Sequence, residues 1–251
     1  MLLKDLCAYY ETLLDISSIS DISLNGLQVG SKDAEIRTVA FAVDAALETI
    51  EKAAAANADL LFVHHGIFWG KAYAVTGSVY RRFETLFRRP IGLFAAHLPL
   101  DLHPTLGNNA QIASHLGLTS REPFGEYRGL KIGFKGSFPQ PRTIDEILAS
   151  LSLSRTDCLK IYDFGKEKIT SAAVVSGGAV DELSQAVDEN LDLYITGEAN
   201  HEVYHFCKES KINMLSIGHY ASETYGVKAV AAQTEKDLNL KTVFIDCPTG
   251  L

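Results

Sequence analysis

The chain has 251 residues, 47% of them hydrophobic and 22% charged, with a formal net charge of −8. This suits a soluble globular protein of one large domain or two small ones, and its acidic surface argues against nucleic acid or an anionic membrane as partner. The amino terminus MLLKDLCAYYETLLDI has no signal-peptide core, no apolar run nears the roughly 18 residues that span a bilayer, and Cys7, Cys158, Cys207 and Cys247 are too scattered for a disulfide framework or a thiolate zinc site, so a cytoplasmic location is expected.

Leu3, Leu6, Tyr10, Leu13 and Leu14 fall on one stripe and predict an amphipathic helix over 3–15. The turn-rich SSISDISLNGLQVGS follows, and its Asn25-Gly26 turn leads into a first strand at Leu27–Val29. TVAFAV then reads as a strand, ALETIEKAAAANA as a helix, and DLLFVHH as a strand ending in two histidines. An apolar run without alternation suits a strand buried on both faces. A helix at 78–89, the strand IGLFAAH, a proline-containing loop and a helix at 108–116 come next. EYRGLKIGFKGSF reads as one or two antiparallel strands, and TIDEILASLSL as a helix.

The same order of elements then returns. Residues 171–199 align without a gap onto 38–66, matching Ala40, Ala46, Ala53, Asn57, Asp59 and Leu60 with Ala173, Ala179, Ala186, Asn190, Asp192 and Leu193. The helix EVYHFCKES and the strand INMLSIGH continue the parallel. Any two βαβ units look somewhat alike, but gapless agreement over this length favours a true repeat. The expected fold is α/β, with two related halves at residues 1–125 and 126–251 and a dinuclear metal site in the cleft between them.

Three segments carry the chemistry. His64 and His65 stand at the carboxyl end of a strand, where open α/β sheets bind ligands; neighbouring strand residues point to opposite faces, so both serve one centre only if the strand has ended before Gly66. A plain strand terminus is the bland alternative. In AAHLPLDLHPTLGNNAQ, His97 and Asp101 lie four apart, and Asp101 reads equally as a helix cap or a ligand. In GHYASETYG, His219 and Glu223 lie four apart and share one face if a helix starts there; a surface ion pair is the alternative. Together these supply imidazoles and carboxylates for two metals sharing ligands and keeping open positions, as catalytic sites require. His97, Glu198 and His201 are candidates for orientation or proton transfer. His205 and His115 read as ordinary helix residues.

The segments NGLQV, VHHGIFWG, AAHLPLDLHPTLGNNAQ, YITGEANHE and GHYASE, in this order, resemble the motifs of the Nif-three-like family, the GTP cyclohydrolase I type 2 homologues. The resemblance covers nearly the whole chain. It implies two related α/β domains, a toroidal homohexamer, and two divalent ions per subunit (zinc, iron, manganese or nickel) held by His64, His65, Asp101, His219 and Glu223. The inserted domain of larger members has no room here. The resemblance also implies hydrolysis of a nucleotide-like or other small substrate by metal-activated water. The contrasting expectation is a non-catalytic metal-binding scaffold whose ring-shaped assembly serves partners. No P-loop or GxGxxG is present, so any nucleotide is held in another way.

Overall fold

The computed structural model describes residues 1–251. In chain order its elements begin with α1 (Leu3–Leu13), β1 (Gly26–Val29), β2 (Thr38–Asp44), α2 (Leu47–Ala55), β3 (Leu60–His65), α3 (Gly77–Arg88), β4 (Gly92–Ala95), α4 (Leu98–Leu102) and α5 (Asn108–His115). There follow β5 (Thr119–Tyr127), β6 (Leu130–Arg142), α6 (Ile144–Ser150), β7 (Lys160–Asp163), β8 (Ile169–Val174), α7 (Leu183–Asp188), β9 (Leu193–Thr196), α8 (Val203–Ser210), β10 (Asn213–Ser216), α9 (His219–Leu238) and β11 (Lys241–Phe244). No helix is long and apolar enough to cross a membrane.

The chain divides into two compact units, Met1–His103 with Val227–Cys247, and Pro104–Gly226 with Pro248–Leu251. This differs from a single changeover at residue 125. The reason lies in the cores: α5 gives Ile112 and Ala113, and the segment after it Leu116 and Leu118, to the cluster around Ile147, Val174 and Ile195. At the other end, β11 leaves the second unit's sequence and pairs in parallel with β2.

The first unit has a five-stranded sheet in the order β1-β4-β3-β2-β11, parallel except for β1. Alternation sorts its strand residues onto two faces. Ala40, Ala42, Leu61, Val63, Leu93 and Ala95 pack with Ile50 and Ala53 of α2 and Phe83 and Leu86 of α3. The intervening Phe41, Phe62 and Phe94 form an aromatic row, with ring centroids 5.3 and 5.6 Å apart. Tyr10 of α1 lies over it at 5.0 Å from Phe62 and 5.2 Å from Phe94. Its hydroxyl meets Thr234 Oγ1 at 3.1 Å, so this fully buried tyrosine keeps a polar partner.

The second unit has a six-stranded sheet, β5-β6-β8-β9-β10-β7, whose central β8, β9 and β10 are parallel. The predicted repeat is present down to strand register. Val39, Ala40 and Phe41 sit opposite Leu60, Leu61 and Phe62; at the aligned positions Ala172, Ala173 and Val174 sit opposite Leu193, Tyr194 and Ile195. Asn57 and Asn190, each just past a helix, take the left-handed conformation at φ 54° and 56°. One difference stands out. Helix α7 starts only at Leu183, because Gly177 turns at φ +69° and the Ala179 carbonyl accepts the Tyr194 hydroxyl at 2.5 Å.

Candidate metal centre

The histidines of the first unit converge at the carboxyl ends of its strands. Strand β3 ends in His64 and His65, as DLLFVHH predicts, so the two histidines are still strand residues and do not meet the condition that the strand has already ended. Their ring centroids are nevertheless 4.5 Å apart. Pairing with β4 stops at Val63, whereas pairing with β2 continues to His65. His97, at the start of α4, brings a third ring, 5.1 Å from His64 and 5.7 Å from His65. One donor nitrogen from each of His64, His65 and His97 falls within 4.8 Å of the others.

Each of these rings is anchored through the same nitrogen. His64 Nδ1 donates to the Ala96 carbonyl at 3.0 Å, His65 Nδ1 to Asp44 Oδ1 at 2.9 Å, and His97 Nδ1 to Asp21 Oδ2 at 3.0 Å. An Nδ1–H spent on an oxygen leaves the lone pair on Nε2, the arrangement that orients an imidazole toward a metal. Asp101, one turn into α4 and 7% exposed, places Oδ2 3.6 Å from His64 Nε2. Asp21 is the most elaborately held of the anchors, accepting also from the Leu98, Ser23 and Asn25 N–H groups. Burial alone would raise its pKa, but His97 and these donors outweigh that and hold it well below the usual carboxylate range.

The second unit offers its own set at the amino end of α9. His219 Nε2 lies 3.1 Å from Glu223 Oε1, and its Nδ1 lies 2.5 Å from Glu198 Oε1. The i,i+4 spacing of a helix puts His219 and Glu223 on one face, as predicted. Burial would push the His219 pKa down, but the carboxylates of Glu223 and Glu198 together hold it up at about 9. Glu223 is 3% exposed, so a cation beside it, proton or metal, offsets a buried negative charge. The turn at Gly177 closes over it: a Cβ there would run into Glu223 Oε1. Gly177 N–H also donates to Ser222 Oγ at 3.0 Å.

The two units thus carry related devices, His97 followed four residues later by Asp101, and His219 followed four residues later by Glu223. Each pair opens the helix after a parallel strand, β4 or β10. Imidazole and carboxylate without thiolate fit zinc, iron, manganese or nickel. His201 lies exposed in the turn before α8, outside both sets, and His115 and His205 are exposed helix residues. Asp21, Asp44 and Trp69 were not singled out from the sequence. Asp44 could have been, since it ends the strand beside His65; Asp21 sits in a turn-rich stretch that resembles any loop.

The sequence profile of Duf34/NIF3 (NGG1p interacting factor 3) matches residues 1–249. A Pyrococcus horikoshii protein named GTP cyclohydrolase 1 type 2 homolog is 45% identical over 251 residues, covering 98% of each chain. One of the same name from Archaeoglobus fulgidus is 42% identical, covering all of both chains. Among solved structures, TTHA1606 from Thermus thermophilus superposes with a TM-score of 0.89 at 36% identity, again over the full length of both.

Proposed function

The chain belongs to the Duf34/NIF3 family, and on that footing we propose that it is a metal-dependent hydrolase acting on a nucleotide-like small molecule. Its ligands are His64, His65, Asp101, His219 and Glu223, holding two divalent ions per subunit. The observation that carries this reading is the convergence of His64, His65 and His97, each anchored through Nδ1 to an oxygen and each offering one ring nitrogen within 4.8 Å of the others. Bound ions would supply Lewis acidity and lower the pKa of water toward neutrality. In the protein, Asp44 and the Ala96 carbonyl fix the two β3 imidazoles, and Glu198 fixes His219. His97, backed by the ionised Asp21, is the group suited to move a proton at Nε2. The names of the relatives point to a purine nucleotide as the substrate type.

A closed homo-oligomer, a hexamer built from dimers, belongs to the same proposal. Tyr80 and Phe87, seven apart on α3 and 52% and 66% exposed, present apolar surface of the kind subunits cover. The scattered free cysteines are in keeping with a cytoplasmic location. Metal-reconstituted protein screened against nucleotides, phosphoesters and cyclic amides tests the activity. Turnover that vanishes in Glu223→Ala and survives in the exposed α8 variant Glu209→Ala supports the hydrolase. Full metal occupancy without turnover of any of these substrates favours the scaffold instead.

A further inference from the structure

Trp69 is the single tryptophan of the chain. It sits in the loop between β3 and α3, four residues after His65. Its ring lies 5.0 Å from that of His97 in a T-shaped arrangement and 5.8 Å from that of His65. The indole N–H donates to the Gly66 carbonyl at 3.0 Å, a bond internal to the loop that fixes the ring and leaves it no further donor. The ring is not among the buried core residues and remains partly exposed. A large aromatic surface left beside polar imidazoles is a contact surface rather than core packing.

Its surroundings have the same character. Tyr73, 37% exposed, spends its hydroxyl on the Ile67 carbonyl at 2.9 Å. Leu24, 52% exposed, is tied to this loop through its backbone N–H, which donates to the Phe68 carbonyl at 3.0 Å. Ile22, 47% exposed, has its carbonyl against Gly70. The rim beside the imidazoles is therefore apolar and aromatic, with the polar atoms of Trp69 and Tyr73 satisfied inside the loop. What such a rim recognises is a flat, weakly hydrated face.

We infer that Trp69 is a stacking platform for the planar heterocycle of the substrate, a purine-like base held face to face with the indole next to the histidine cluster. This rests on the hydrolase reading, and it adds the residue that would select for the base. Stacking of a base on an aromatic side chain tolerates variation in the base and contributes about tenfold or more in affinity. The platform thus answers how a chain without a P-loop or dinucleotide fingerprint holds a nucleotide: by its base.

Because the chain has one tryptophan, its intrinsic fluorescence reports on this ring alone. The full chain, with and without reconstituted metal, is titrated with guanosine 5′-monophosphate and with ribose 5-phosphate, which has the same sugar and phosphate but no base. The expected result is quenching and saturable binding by the first only. By equilibrium dialysis Trp69→Leu binds the nucleotide about tenfold more weakly, and Trp69→Phe keeps affinity within about threefold. Metal content, measured separately, stays unchanged in both variants. Equal binding of the two probes, or nucleotide affinity unaltered in Trp69→Leu, overturns the inference. Loss of metal in both Trp69 variants also overturns it, making the ring a structural support for the histidines. A parent chain that takes up no metal refutes the hydrolase reading instead, and the metal-free titration then still decides for or against the platform.

Discussion

Asp59 and Asp192 perform the same task in the two units. Asp59 Oδ2 accepts the backbone N–H groups of Arg37 and Thr38 at 2.8 and 2.9 Å, at the start of β2. Asp192 Oδ2 accepts those of Thr170 and Ser171 at 2.8 and 3.3 Å, at the start of β8, and also the Thr170 hydroxyl at 2.7 Å. A carboxylate placed before one strand thereby fixes where its neighbour begins, which holds the register the units share. Removing it strands backbone donors. Asp192→Ala is expected to cost about 2–3 kcal/mol and the less buried Asp59→Ala about 1–2 kcal/mol, read from urea denaturation.

The contribution of Asp192 is also pH-dependent. Burial would raise its pKa, but Lys166, whose Nζ lies 2.7 Å from Oδ1, and Thr170 outweigh that and lower it. A carboxylate with a depressed folded pKa stabilises above its unfolded value, about 3.9, and loses that contribution as pH falls through the folded value. The stability gap between the parent and Asp192→Asn should accordingly be full near neutrality and close below about pH 4. A gap independent of pH from 7 to about 3 contradicts the assignment.

Gly177 offers a way to disturb the second donor set without removing a donor. Its φ of +69° disfavours any side chain, and an added Cβ meets Glu223 Oε1. Gly177→Ala should lower stability by about 1–3 kcal/mol and weaken metal binding together. Gly129→Ala, in the β5–β6 turn at φ +80° with nothing near its Cβ, carries the backbone strain alone and should leave metal affinity unchanged. Equal metal affinity in the two variants, measured by chelator competition, argues against contact between Gly177 and a ligand.

Most of the fold was legible because the strands are short apolar runs bounded by turn residues, and the repeat announced itself through Ala53, Asn57 and Asp59 against Ala186, Asn190 and Asp192. Three elements were not. Strand β7 is half exposed and carries Lys160 and Asp163 at its ends, so it lacks a periodic signal. Helix α4 is one turn with a proline in it. Strand β11 is an ordinary TVF run whose placement beside β2 depends on pairing across nearly the whole chain, which no local pattern encodes. In the site, residue types at strand ends pointed to His64, His65, His97 and His219. Their anchors Asp21 and Asp44 stayed hidden, because an anchor is defined by the atom it touches and an acidic residue in a loop usually touches water.

Those anchors carry a prediction of their own. Asp44 holds His65 and Asp21 holds His97 through Nδ1, so replacing either frees a ring to turn and to exchange tautomers. Asp44→Ala should lower metal affinity about tenfold or more, with little change in the stability of the metal-free protein, since its side chain is 34% exposed. Asp21→Ala, which frees His97 rather than a proposed ligand, should instead destabilise the metal-free chain with less effect on metal affinity, because the Leu98 and Ser23 N–H groups lose their acceptor. Zinc affinity by chelator competition, set beside thermal unfolding of the metal-free proteins, separates the two effects.

Asp101 and Glu223 provide the test on which the metal assignment depends most. They are the carboxylates of the two donor sets, each four residues after a histidine and each buried. If both are ligands, metal binding stabilises the folded chain through each of them, since an ion that favours the native state shifts unfolding by its own binding free energy. Asp101→Ala and Glu223→Ala should each reduce metal content and shrink the rise in melting temperature that metal produces in the parent. Glu209→Ala, exposed on α8, should do neither. Comparison of metal-loaded with chelator-treated samples of every variant is essential, because removing a buried carboxylate also changes the metal-free protein. Glu223→Ala in particular removes the carboxylate that does most to raise the His219 pKa, which should fall from about 9, a change visible by NMR titration without any metal. Should both carboxylate variants retain full metal and the parent's melting shift, Asp101 and Glu223 are structural ion-pair partners of their histidines, and the ions bind elsewhere.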